Sequence, residues 1–588
     1  MIPSTSATNM MRTTFRTTSI FSSLLLLWAA GCDDDTDPLG GGGQGAGGGA
    51  TTATASSTST SGVGGAGGGS GLEVVWTPCP LSSDDASGDE ALCSTTKVPL
   101  DWNDPDGPKI DFFVKKIPAP QQPPHGQLWL LNGGPGYSGA DFETAFAAQT
   151  YDLFLPDHRG TGRSSRLACP EAEDDASPDG YWVNDAELAD CVPQLVSTYG
   201  DTLAGYTTTN AARDIGELIE RTRQPDQLVI VLGASYGSTW GNRYLQIYPG
   251  QADGVMLDAF AVDLKMTRDD WFFNALGERW MDACAAEATC SQKLGPDPWA
   301  TMTQAIDNLE SGGCPGIAAQ GWTRAELHKF WSFFFYTWEY RSLIAPMVYR
   351  LARCEGRDIS AFQILHDVFT QPQQPTAAQR YFSMMLSTHV MLSELWEDPP
   401  PPVGELVDYQ ATANVAHRLA APAQAVYDAW PRYEKDSYVG GLGVTDKPVL
   451  MMRGQYDFIP IAEIQPVIDH YLQGNGTFVE IPNAPHSPYA APPQGGGPSC
   501  AGQVLGQFLS DPTMTIDSSC TSEVAPLPFD VSSGLSNAAF GHSDEWDGNP
   551  TLTIAVEPTS VAVDRERLRR RFAAARLHGQ LGGLHRDP

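Results

Sequence analysis

The sequence predicts an α/β fold, a mostly parallel sheet covered by helices and interrupted by a helical insertion. Three observations predict it. Short β-rich runs alternate with helical stretches from Gly71 to about Val262. Strand signals then vanish from Lys265 to about Gly440, where long amphipathic stretches take over, and they return at "KPVLMMRG" and "GTFVEIP". Alternation of this kind describes strands joined by helical crossovers, and the gap describes a helical block inserted between two halves of one core.

Taken in order, the 588-residue chain opens on a segment that reads as an address. Arg12 and Arg16 precede an apolar run from Ile20 to Ala30, too short to span a bilayer and shaped like the apolar region of a secretory signal. The run ends in "AAGC", similar to the lipobox of bacterial lipoproteins apart from Ala29, where that motif usually has Leu. On this reading residues 1–32 are a lipoprotein-type signal and Cys32 is the lipidated residue; a plain cleaved signal is the alternative. Residues 33–71, rich in Gly, Ser and Thr, have nothing apolar to bury and read as a flexible tether. The expected organisation then runs as core (72–262), helical cap (263–440), core again (441–525) and a C-terminal extension with a basic tail (526–588).

Eleven cysteines less Cys32 leave ten, an even number in a chain read as exported. Nearest-neighbour pairing suggests Cys79 with Cys93, Cys169 with Cys191, Cys284 with Cys290, Cys314 with Cys354 and Cys500 with Cys520, although spacing does not fix connectivity. No Cys/His spacing suggests zinc, so neither metal nor cofactor is expected. The net charge of −34 argues against nucleic acid, whose phosphates would be repelled. Contact with a membrane is expected only through the N-terminal lipid.

Within the first core segment, "IDFFVKKI", "GQLWLL", "YDLFLP", "QLVIVLG" and "GVMLDAF" read as strands. In the insertion, "TRAELHKFWSFFFYTWEY" starts with Thr323 and Glu326 in capping-box spacing and carries an aromatic stripe through Phe330, Trp331, Phe334, Phe335 and Trp338. Such a stripe is core, or the roof of a pocket.

The stretch "LNGGPGYSG" admits two readings. Gly134, Gly136 and Gly139 match the dinucleotide fingerprint, with Asp157 as the ribose acid. Pro135 counts against this, since it removes an N–H from the turn meant to hold a pyrophosphate. The alternative is an oxyanion loop, and chemistry elsewhere decides for it. Gly233, Ser235 and Gly237 form GxSxG between an apolar strand and a helical run, the context in which a serine stands free above a sheet. A serine needs a histidine to take its proton and a carboxylate to orient that histidine, here in the order Ser, Asp, His. Asp457 follows "KPVLMMRG" and His486 follows "GTFVEIP"; Asp258, Asp469, His470 and His542 are the competitors. Backbone N–H groups of Tyr236 and Gly134 are the expected oxyanion donors.

Together "LNGGPGYSG", "YDLFLPDHRGTGRSS", "GASYG", the Asp457 loop and the His486 loop resemble the tripeptidyl aminopeptidase and prolyl iminopeptidase family of α/β-hydrolases, and "CSTTKVPLDWNDPDG" is similar to its secreted members. The resemblance extends from about Val74 to Cys520. It implies an α/β-hydrolase fold with a helical cap and a serine exopeptidase acting on peptide substrates at their N-termini. An esterase or lipase with the same triad, or a binding protein on a hydrolase scaffold, are the alternatives. Asn132 stands where many members have His, and Pro485 where Gly is usual. The resemblance also implies a cap carboxylate for the substrate ammonium, which suggests Glu394, with Glu397 as the alternative.

Overall fold

The computed structural model describes residues 72–546, apart from 86, 144–149, 174–182, 184, 263, 371–375 and 418–423. The expected signal with Cys32, the tether and the basic tail past residue 546 lie outside these residues.

Among the described residues, nine strands form one sheet in the order β1-β2-β3-β5-β4-β6-β7-β8-β9. They are β1 (Thr77–Cys79), β2 (Ala91–Pro99), β3 (Lys109–Ile117), β4 (Gly126–Leu131), β5 (Tyr151–Pro156), β6 (Leu228–Ala234), β7 (Gly254–Asp258), β8 (Val449–Gly454) and β9 (Gly476–Ile481). From β5 to β9 all pairings are parallel, while β1, β2 and β3 extend the sheet antiparallel. The central strands β4, β5, β7 and β8 are buried along their whole length. Both faces of these strands are covered, and their sequences are therefore continuous apolar runs rather than alternating ones. Two apolar clusters, one on each face, close the core.

The seven strands read from the sequence are present within a few residues of their expected bounds. β1 and β2 carry no apolar run of the kind that marks the other seven. β1 is a three-residue edge strand, and β2 is polar and threonine-rich, with Ser94 and Thr96 satisfying one another at 3.3 Å.

Among the described residues, all regular structure between β7 and β8 is helical, from Met266 to Ala429. Residues past the last strand return to this block. The helix Ser533–Phe540 packs on Gly356–Thr370, and Arg350 donates to the carbonyls of Asp544 and Glu545. The first part of the C-terminal extension therefore completes the cap. All ten described cysteines form disulfides, with the nearest-neighbour pairing.

Chain order fixes where a site can form. The chain leaves β4 for β5 on one side and later places β6 on the other, so the loops after β4 and β6 diverge at the carboxyl edge. That divergence opens the crevice in which α/β sheets bind ligands.

Candidate active site

Ser235 sits in that crevice, between the last residue of β6 and the helix Tyr236–Ile247, with φ 55° and ψ −125°. A non-glycine residue held there is strained, and the surroundings enforce the turn. Its N–H donates to Asp258 O at 2.9 Å, and Ser238 Oγ donates to its carbonyl at 2.5 Å. The flanking glycines are required by close approach: a Cβ on Gly233 would lie 2.1 Å from Gly237 O, and one on Gly237 2.1 Å from Leu131 O.

The structure brings the three expected side chains together. His486 Nε2 lies 3.0 Å from Ser235 Oγ, and His486 Nδ1 lies 2.9 Å from Asp457 Oδ2. With the carboxylate on Nδ1, that nitrogen carries the proton and Nε2 offers its lone pair to the hydroxyl. Asp457 is buried, and its second oxygen accepts from the Ile459 N–H at 3.0 Å. Burial alone would raise its pKa; the charge and hydrogen bond of His486, with Arg453 and the Ile459 N–H, outweigh burial and hold it below the usual carboxylate range. The imidazole is walled by Phe458 at 4.8 Å and by Tyr336, edge-on at 5.6 Å.

The glycine-rich loop lies over the serine. A Cβ on Gly133 would stand 2.9 Å from Ser235 Cβ, and Tyr236 is the first residue of the helix that Ser235 caps. That helix N-terminus favours negative charge. The dinucleotide alternative is disfavoured: among the described residues a short turn of helix, Gly139–Phe142, follows the glycines, and Asp157 accepts from Gly139 N and from Arg163.

A buried amide, whose role is unmarked in the sequence, shapes this loop. Asn132 Nδ2 donates to Ser138 O and Asp141 Oδ2, each at 2.7 Å, while its Oδ1 accepts from the Gly133 N–H at 2.7 Å. The departure from the family's histidine thus supplies an amide that ties both ends of the turn. Burial, only partly offset by Asn132, pushes Asp141 up to about 7.

Glu394, suggested for a substrate ammonium, is engaged within the protein. It lies on the turn Met391–Leu395 with its side chain 1% exposed. One oxygen accepts from Arg243 at 2.9 Å, the other from Tyr433 Oη at 2.6 Å and the Thr208 N–H at 3.1 Å. A carboxylate already neutralised by a buried guanidinium has little to offer an incoming cation. Glu397 is likewise engaged, by Arg268 and Thr267. Of the other competitors, His470 bonds Gly443 O and Asp469 bonds Gln465 on one outer helix. Asp258 ends β7; burial, then the charge of Asp457, holds its carboxyl well above the usual range.

A second acid and imidazole face the relay from the cap. Asp269 Oδ2 lies 2.5 Å from His417 Nδ1, while Asp269 Oδ1 and His417 Nε2 are buried without a partner. Tyr336 stands between the two histidines, its ring 5.8 Å from His417 and 5.6 Å from His486. Its hydroxyl has no hydrogen-bond partner among the described residues. No sequence signal joins residues 148 positions apart.

A model of the alpha/beta hydrolase fold matches residues 128–290. The chain is 29% identical over 255 residues to "Serine protease Hip1" of Mycobacterium tuberculosis, covering 39% of this chain and 48% of that one. It is 34% identical over 148 residues to "Carboxylesterase B" of the same species, covering 21% and 28%, and 26% identical over 184 residues to "Proline iminopeptidase" of Arabidopsis thaliana, covering 31% and 35%. The chain thus spans about half the length of the first of these relatives, or less of the others. The sheet order, the turn at Ser235 and the matched segment agree with one another: the chain has the alpha/beta hydrolase fold.

Proposed function

We propose that the protein is an exported serine aminopeptidase that releases residues from peptide N-termini through an acyl-enzyme. Ser235 Oγ attacks the scissile carbonyl while His486 Nε2 takes its proton. Asp457 fixes the imidazole's tautomer and stabilises its charge, and the Tyr236 and Gly134 N–H groups receive the oxyanion. His486 then protonates the leaving amine, and water repeats the cycle on the ester. The relatives named as proteases and peptidases support this choice of substrate, and the five disulfides support an oxidising compartment. An anchor at Cys32 belongs to the same proposal.

One observation carries the step from hydrolase to aminopeptidase. The cap presents buried polar atoms without partners, Asp269 Oδ1 and His417 Nε2, with the Tyr336 ring between His417 and His486. Such a cluster suits a protonated amine, which brings three donors and a charge. Asp269 takes over the role expected of Glu394. The test compares aminoacyl and tripeptidyl amides bearing free or acetylated N-termini, beside short-chain esters, in wild type and Asp269→Asn. The expected result is a preference for free amines of about 100-fold that the variant loses while ester turnover persists. Equal turnover of free and acetylated amides by wild type, or of esters alone, would refute the aminopeptidase reading and favour an esterase. A chain inert to a fluorophosphonate probe would be a binding protein.

A further inference from the structure

We infer that Arg341, a cap residue outside the relay, is a positioning residue that holds the Asp457 and His486 loops in register. The inference rests on Ser235, His486 and Asp457 acting as proposed above.

Arg341 lies in the turn Tyr340–Leu343, just past the cap helix Arg324–Tyr336, and is 1% exposed. Its Nη2 donates to the carbonyl of Asn483, three residues before His486. Its guanidinium lies over Trp338 at 4.4 Å, Trp280 at 5.1 Å and Tyr456 at 5.9 Å, and Tyr456 directly precedes Asp457. One cap side chain therefore touches both loops that deliver the relay.

Those loops are also bonded to each other. Gln455 N donates to Ile481 O at 2.9 Å, Tyr456 N to Ala484 O at 2.8 Å, and Asn483 N to Gln455 Oε1 at 3.0 Å. Asn483 has φ 60°, a left-handed conformation that a non-glycine residue keeps only when its neighbours enforce it. Arg341 is the cap's contribution to that enforcement, bonded to the strained residue's own carbonyl.

The chemistry around Arg341 argues against a packing role. Among the described residues no carboxylate pairs with it, and its Nε and Nη1 are buried without partners. Burial pulls its pKa down to about 9. An unpaired buried cation is a poor way to fill a core, where an apolar side chain of similar length would serve at less cost. What the guanidinium adds over such a side chain is a donor to Asn483 and a flat cation for the aromatic ring beside Asp457.

The experiment uses the full chain with Arg341→Met, Arg341→Ala and Arg341→Lys. Methionine fills the space without the cation. The positioning role predicts that Arg341→Met keeps or raises Tm yet loses at least 10-fold in kcat, with KM within about twofold. The loss should be equal on esters and free-amine peptides and be matched in the rate of fluorophosphonate labelling. Added guanidinium at millimolar concentration should restore several-fold of the kcat lost in Arg341→Ala, and Arg341→Lys should lie between wild type and Arg341→Met. Wild-type kcat in a folded Arg341→Met, a loss confined to KM, or a loss in Arg341→Ala indifferent to guanidinium would each overturn the inference. Should Arg341→Ala not fold, the methionine and lysine variants decide by the same kcat criterion. If wild type is inert to the probe, the relay assignment falls instead, before Arg341 is tested.

Discussion

Asn132→Ala separates the stability of the oxyanion loop from its catalytic use. The wild-type amide makes three bonds of 2.7 Å, to Ser138 O, to Asp141 and from the Gly133 N–H, in a site where Asn132 is buried. Each is worth about 1 kcal/mol net, and a buried group left unpaired costs more, so a loss of roughly 3 kcal/mol in unfolding free energy is expected. The catalytic loss has a different origin. Gly133 presses on Ser235, and the next residue supplies the proposed oxyanion donor. Freeing the turn displaces that donor from a charge that exists only in the transition state. Loss of one such donor costs about 100- to 1,000-fold in kcat with little change in KM, because the ground-state carbonyl does not depend on it. Denaturant melts measure the first quantity, and initial rates on a chromogenic ester, at a temperature where the variant is fully folded, measure the second. A variant destabilised as expected but with kcat within threefold of wild type would refute the role of this loop in catalysis and leave Asn132 a structural residue only.

Three further predictions come from the same geometry. Asp457→Asn should keep the fold and lower kcat about 10,000-fold, since an amide at 2.9 Å from His486 Nδ1 favours the wrong tautomer; retained activity in a rate assay would mean another acid orients the imidazole. Glu394→Gln should cost roughly 3–5 kcal/mol in a urea melt by leaving Arg243 buried without its partner, and the ratio of free-amine to blocked-substrate turnover should not change. Lowering the pH from 8 to 6.5 should raise Tm. Asp141 and Glu173 are raised to about 7, chiefly by burial, so in this window the folded state gains protons that the unfolded carboxyls do not bind. Below about 6.5 the gain is opposed by His158 and His389, which burial holds down to about 4, since unfolding then releases imidazoles that take up protons. A Tm that falls steadily from pH 8 to 6.5 would contradict the raised carboxyls.

The parts of this molecule legible in the sequence are those where one local pattern has one physical cause. Strands covered on both faces must be apolar throughout, so "QLVIVLG" and "KPVLMMRG" announce themselves, whereas β2 alternates Thr and Lys with buried residues and has no such run. The serine is legible because its turn demands small neighbours on either side. Asp457 and His486 are legible because each lies in the loop that follows a readable strand.

Charge pairing across the fold is not legible in this way, and Glu394 shows why. A carboxylate late in the cap carries no mark of its partner, and here the partner is Arg243, two turns into the helix that Ser235 begins. That pair ties the cap to the nucleophile's own helix. Arg341 ties the cap to the other two relay residues through Asn483 and Tyr456, and Phe382 and Ser383 of the cap close over Gly136 in the glycine-rich loop. Every loop that brings a reacting group is thus in contact with the insertion. A lid that only excluded water would need apolar surface at this seam. Buried polar bonds instead make alignment of the relay depend on where the cap sits, so a substrate that engages Asp269 and Tyr336 in the cap acts on the same body that holds the histidine loop in place.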